Sequence, residues 1–223
     1  MKYFVFSIDD GTIYDEITIG MFNKYGIKGT FNLNSELDNY TWYYEDRLPI
    51  TRFVLKDHID LYEGHEVASH TLSHPHLDEI PDDRVIMEVK RDKKNLEKIF
   101  NREITSFATP FHTSGEREIT IIKNNVDIKN IRLSSLDESF SFPKDPYHIL
   151  CTAYKIDKGL ELIKQFHEVD EGLFVYAGHS YDFYVGNCWD KLETLIKEIK
   201  KDKNIKVLTM QEFVNEYYGG QKC

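Results

Sequence analysis

Two adjacent carboxylates, Asp9 and Asp10, close the first apolar run of the chain, Tyr3 to Ile8. Such a run reads as a buried strand, and adjacent charges at its end call for a cation nearby. Neighbouring side chains on a strand point opposite ways, so the pair can offer one carboxylate to a ligand and the other to a water. Two histidines four residues apart, His70 and His74, supply imidazoles of the kind that hold a divalent ion. Pro75 follows at once and disfavours helical geometry at His74, so a tight turn is expected to carry the two rings. Two imidazoles and one carboxylate, with a fourth position left for water, make the donor set of a hydrolytic metal centre. A further histidine, His179, follows Gly178 at the end of another apolar run, Leu173 to Ala177.

The elements that must bring these groups together alternate between strand and helix patterns. Strands are expected over residues 2–8, 28–33, 66–69, 105–108, 130–133, 149–154, 173–177 and 205–208. Helices are expected over 15–25, stopped by Gly26, and over 53–62, 81–102, 116–124, 157–169 and 189–201, with a last one opened by a Thr209/Glu212 capping box. Asp157 is the expected N-cap of its helix. Residues 34–51, which carry Tyr40, Trp42, Tyr43 and Tyr44, read as a loop. Repeated β-then-α units predict a parallel sheet. Seven or eight such units in a single domain over 1–223 predict a closed barrel, with a doubly wound sheet as the alternative. In α/β barrels the site lies at the C-terminal ends of the strands, and Asp9–Asp10, His70, Pro110–Phe111 and His179 all fall there.

Composition narrows the function. The chain has 223 residues, 41% of them hydrophobic, and a formal net charge of −10. No basic stripe is available to neutralise phosphates, which argues against nucleic acid and anionic membrane surfaces. No stretch is long enough to span a bilayer as a helix. The three cysteines, Cys151, Cys188 and Cys223, form no C-x-x-C pair, so a reduced compartment is expected. The first apolar run passes straight into Asp9 and Asp10 and does not read as a secretory signal. A cytoplasmic location is therefore expected, although a secreted protein shorn of its leader would read the same way.

Taken in order, Ser7-Ile8-Asp9-Asp10-Gly11-Thr12, then Gly64-His65-Glu66-Val67-Ala68-Ser69-His70-Thr71-Leu72-Ser73-His74, then Thr109-Pro110-Phe111, then Gly178-His179 resembles the polysaccharide deacetylases with a NodB-homology domain, carbohydrate esterase family 4. The resemblance runs from Lys2 to about Tyr184 and implies a distorted (β/α) barrel, a divalent metal, and hydrolysis of an N- or O-acetyl group on a glycan. Carried over residue by residue, it makes Asp10, His70 and His74 the metal ligands, Asp9 the general base and His179 the general acid. The backbone N–H of Phe111 would help hold the oxyanion. Zinc is the first expectation from ligand type. The family usually has an arginine just before the Pro-Tyr of its third motif, paired with the base; here Ala108 stands in the expected place, and Thr109, Phe111 and His112 also depart. Arg132, at the end of the fifth strand, could supply the missing cation, and His112 could touch substrate. Asp137, Asp145 and Asp182 are candidates for the carboxylate behind His179. The aromatic residues of 40–44 either stack on sugar rings or cover the core edge. Two other readings stay open: a C–N hydrolase acting on a small non-sugar amide, and a catalytically impaired carbohydrate-binding homologue.

Overall fold

A run such as KYFVFSID can be buried at every position only if strands flank it on both edges and other layers cover both faces. The computed structural model, which describes residues 1–112 and 115–219, meets that demand. Strand β1 (Lys2–Asp9) is buried at all eight positions. One edge pairs in parallel with the last-but-one strand of the chain, Gly172–His179, from Lys2↔Gly172 to Asp9↔His179. The other edge is shared by β2 (Thr30–Leu33), beside Ser7 to Asp9, and the final strand, Ile205–Leu208, beside Lys2 to Val5.

Between β2 and the next parallel strand the chain makes an antiparallel hairpin, β3 (Thr41–Tyr44) and β4 (Leu48–Thr51). The parallel order then continues through β5 (Glu66–Ser69), β6 (Ser106–Ala108), β7 (Asn130–Leu136) and β8 (Ile149–Cys151). With the strands at Gly172–His179 and Ile205–Leu208 numbered β9 and β10, the sheet curls until its ends nearly meet. Ala153, beyond β8, bridges Tyr176 of β9, and the Thr152 N–H donates to Val175 O at 2.7 Å. This is the expected distorted (β/α) barrel. The distortion has a local cause: α-helices follow only some strands. They are α1 (Asp15–Tyr25), α2 (Asp82–Phe100), α3 (Glu116–Asn125), α4 (Ile156–His167), α5 (Ser180–Val185), α6 (Trp189–Lys201) and α7 (Met210–Gly219). The crossing from β2 to β5 uses the hairpin and two short 3-10 turns, Leu55–Asp57 and Ile59–Tyr62, in place of the expected helix over 53–62. The crossing from β7 to β8 has no helix.

Side-chain alternation along β1 sorts core from site. Phe4, Phe6 and Ile8 point outward and pack with Ile19 and Phe22 of α1, Phe166 of α4 and Leu195 of α6. Tyr3 and Val5 point inward and pack with Phe213 and Val214 of α7, which closes the lower mouth. Each such buried side chain contributes about 1.5–3 kcal/mol. The inward face then turns polar: Ser7 and Asp9 continue it upward and meet Asn32 and Arg132. One face of one strand is thus apolar at the bottom and ionic at the top, which sets where a polar ligand can bind.

The hairpin corrects the loop expected over 34–51. Its turn places Glu45 (φ 48°) and Asp46 (φ 55°) in the left-handed region without the Asn-Gly or Asp-Gly signal that announces such turns. β9 runs on through Gly178 and His179 because β1 pairs with it to the end, and α5 follows directly where no helix was expected. Lys155, not Asp157, occupies the N-cap position of α4, without a capping hydrogen bond from its side chain, and Asp157 instead pairs with Lys191 at 2.7 Å. The Gly26 stop (φ 62°) and the Thr209/Glu212 box are formed as expected. Cys151 and Cys188 are buried free thiols, and Cys223 lies outside the described residues. No helix among the described residues is long and apolar enough to cross a membrane.

His65 points away from the site, as strand alternation requires. Its Nδ1 accepts from the Gly29 N–H at 3.2 Å, and its Nε2 donates to Asn23 Oδ1 at 3.1 Å, so the neutral ring is fully satisfied. Burial, with Arg102 and Lys28 nearby, pushes its pKa down to about 4. The unfolded chain therefore binds a proton here before the folded chain does, and stability falls as pH drops from about 6.5 to about 4. Urea unfolding at pH 7 and pH 4.5 is expected to show a loss at this site of at most about 3 kcal/mol, absent in His65→Gln. An identical pH dependence in both proteins would contradict the assignment.

Candidate active site

Asp9 is the last residue of β1, and Asp10 leaves the strand with φ 83°, followed by Gly11 at φ 63°. The left-handed φ favours glycine there, and a Cβ on Gly11 would stand 2.9 Å from Leu33 Cδ2, so that side chain would have to shift. The left-handed turn lets Asp9 and Asp10 both serve one cavity, where continued strand would have sent them opposite ways.

His70 follows β5 and is 1% exposed. Its Nδ1 donates to the Ala108 carbonyl at 2.8 Å, which fixes the proton there and leaves the Nε2 lone pair for a ligand. A tight turn brings His74 back beside it, ring centroids 4.9 Å apart, with Thr71 at φ 71° and His74 at φ 56°. Buried Glu88 on α2 pins that turn by accepting from Ser73 N (2.9 Å) and Ser73 Oγ (2.8 Å). Asp92, one turn further along α2, accepts from Ser69 Oγ at 2.6 Å and His70 N at 3.2 Å.

Asp10, His70 and His74 each present one ligand atom, and these atoms lie within 4.8 Å of one another. Burial, reinforced by the neighbouring ring, holds His70 well below the usual imidazole pKa, and burial with Arg52 lowers His74. Burial opposes the charge on Asp10, but His179, Arg52 and His74 outweigh it and hold the carboxyl below its usual range. Two neutral imidazoles and one carboxylate suit a divalent ion of borderline hardness.

Asp9 Oδ1 accepts from Asn32 Nδ2 at 2.6 Å and from the Arg132 guanidinium, while Oδ2 lies 4.0 Å from His70 Nε2. Arg132 is 1% exposed and stands directly opposite Ala108 in the β6–β7 register. It also donates to Ser7 Oγ (3.3 Å) and Ser134 Oγ (2.9 Å). The small side chain at 108 leaves the room, and the cation reaches Asp9 from the neighbouring strand.

His179 ends β9 with Nε2 3.7 Å from Asp10 Oδ2. Its Nδ1 donates to Asp182 Oδ2 at 3.0 Å, which also accepts the His179 N–H at 3.0 Å, so Asp182 is the carboxylate behind it. The other two candidates are used elsewhere: Asp145 pairs with His148, and Asp137 accepts from Ser139 N. Burial works against a charge on His179, but Asp182, Asp10 and Asp9 raise its pKa to about 9.

Phe111 (φ 54°) stacks on His76 at 3.8 Å and meets the His74 ring edge-on at 4.5 Å. His112 packs against Tyr154 at 5.5 Å. Both line one cavity of about 880 Å³ with Asp9, Asp10, His70, His74 and His179. Tyr40, Trp42 and Tyr44 of the hairpin region form part of its wall, whereas Tyr43 is 63% exposed. The main residue that sequence reasoning missed is Arg52, whose guanidinium lies 2.6 Å from Asp10 Oδ1. No motif marks it, and it becomes legible only once 41–51 is seen to be a hairpin that folds over the strand ends. Asn32 left only a weak signal, an amide between Phe31 and Leu33 in β2.

A family model described as polysaccharide deacetylase matches residues 1–126. No curated protein matches the sequence. Among solved structures, the family 4 carbohydrate esterase domain of a xylanase from the hindgut metagenome of Trinervitermes trinervoides is similar at TM-score 0.64 and 15% identity, over 98% of this chain and 91% of that one. A family 4 acetyl xylan esterase from Clostridium thermocellum, solved with a cobalt ion, gives 0.62 and 15% over 98% and 92%. A family 4 pseudoenzyme from Bacillus anthracis gives 0.62 and 15% over 96% and 66%. Identities this low speak to the fold alone.

Nitrogen-detected NMR titration of the metal-stripped protein is expected to place the His179 pKa near 9, and Asp182→Asn to lower it by about one unit or more. A wild-type value at or below that of free histidine would contradict this geometry.

Proposed function

Because the chain belongs to the polysaccharide deacetylase family, we propose that it is a metal-dependent hydrolase that removes an N- or O-acetyl group from a carbohydrate. The observation that carries the reading is the convergence of Asp10, His70 and His74 to within 4.8 Å, with Asp9 and His179 on the same cavity. A divalent ion held by those three, zinc being the first choice on ligand type, supplies Lewis acidity to the acetyl carbonyl and acidity to a water.

The chain's own groups supply the rest. Asn32 and Arg132 hold Asp9 by Oδ1, which leaves Oδ2 to take the proton of the attacking water. His179, oriented by Asp182, donates from Nε2 to the leaving nitrogen or oxygen, without which an amine leaves poorly. The backbone N–H of Phe111 serves as an oxyanion donor. Trp42, Tyr44 and Tyr181 line the cavity and give it an aromatic wall against which a sugar can pack.

Acetate release from chitooligosaccharides, acetylated xylan and peptidoglycan fragments tests the reading. Metal-stripped protein reloaded with Zn²⁺ or Co²⁺ is expected to release acetate from at least one; metal-loaded protein inert on all three favours the impaired, glycan-binding alternative. Asp9→Asn is expected to keep metal and lose about 100-fold or more in kcat, and full activity would remove the base assignment. Arg132→Ala is expected to lower kcat, and Ala108→Arg in that background to recover part of it. An unchanged kcat in Arg132→Ala would show that Asp9 needs no cation from β7.

A further inference from the structure

We propose that Arg52 is a resident cation that shares Asp10 with the divalent ion and thereby sets how tightly the site holds metal, an inference that rests on the metal-centre reading above. Arg52 directly follows β4. Its backbone pairs with Thr12, and its N–H donates to Tyr40 O at 2.9 Å, so the end of the hairpin is stitched to the turn that carries Asp10. The side chain is buried. It grips Asp10 twice, Nε to the backbone O at 3.0 Å and a terminal nitrogen to Oδ1 at 2.6 Å. The guanidinium lies over the Trp42 ring at 4.8 Å and the Tyr40 ring at 6.0 Å. The rings hold the cation in place but carry no anionic charge. Among the described residues Asp10 is the one carboxylate paired with it.

Oδ1 is also the Asp10 oxygen nearest His74, 3.5 Å from Nε2. An ion bound between Asp10 and His74 therefore meets an oxygen that already accepts from a guanidinium, and it does so beside a fixed positive charge in a buried site. Charge matching points the same way. Asp9 is answered by Arg132 and Asp10 by Arg52, so the metal-free pocket is already paired and needs no ion to avoid an uncompensated buried carboxylate. Such a site stays formed when empty and binds metal modestly. Without Arg52, Asp10 keeps only the more distant His179, 3.7 Å from Oδ2, as a cationic neighbour, and Oδ1 is left free to draw a divalent ion more strongly.

Calorimetric titration of Zn²⁺ and Co²⁺ into metal-stripped wild type, Arg52→Met and Arg52→Lys tests this apart from turnover. Arg52→Met is expected to bind each ion at least about tenfold tighter than wild type, and to show a lower metal-free Tm with a larger rise on adding metal. Arg52→Lys keeps the charge but cannot make both contacts to Asp10, and is expected to lie between the two; it also serves if the Met variant does not fold. Equal or weaker binding in the variants, with wild type binding normally, overturns the role of Arg52 and leaves the metal centre standing. Folded wild type and variants that all fail to bind either ion would overturn both.

Discussion

Two carboxylates cannot be buried side by side without positive partners, and much of the upper barrel answers that one constraint. Asp9 and Asp10 are each 5% exposed. Asp9 is met by Arg132 and Asn32 from strands on the inward face, and Asp10 by Arg52, His74 and His179 from three separate segments. Each of these segments contributes a partner to one of the two charges. The lower barrel, filled by Tyr3, Val5 and Phe213, has no such demand and is ordinary apolar packing.

The way the cations arrive says something about how such a site tolerates change. An arginine is missing at position 108, yet Asp9 keeps a buried guanidinium because Arg132 lies opposite Ala108 across a single parallel register. Parallel neighbours in register present side chains to the same face, so a charge can move sideways between strands with its head group nearly in place. His70 shows a second form of support: its ring is aimed by a backbone carbonyl and its backbone by Asp92. Neither partner depends on which side chain occupies position 108.

The legible parts of the fold were those written in local pattern. The full burial of β1 follows from its apolar run, the Gly26 stop from a glycine in the left-handed region, and the closing helix from the Thr209/Glu212 pair. Asp9, Asp10, His70, His74 and His179 were legible because they stand at strand ends in a recognisable order. The hairpin was not, because Glu45 and Asp46 take left-handed angles without a glycine or asparagine to announce them. Arg52 was hidden for the same reason, since its role depends on that hairpin folding back over β1. Asp182 could not be ranked above Asp137 or Asp145 until α5 was seen to start directly after His179.

The central claim is that Asp10, His70 and His74 together seat one divalent ion. Diffraction from a cobalt-soaked crystal, recorded on both sides of the cobalt absorption edge, tests it most directly. The account predicts one anomalous peak about 2.0–2.2 Å from an Asp10 oxygen and from Nε2 of His70 and His74. A blank map at that point under saturating cobalt, with the Arg52 guanidinium still on Asp10, would contradict it.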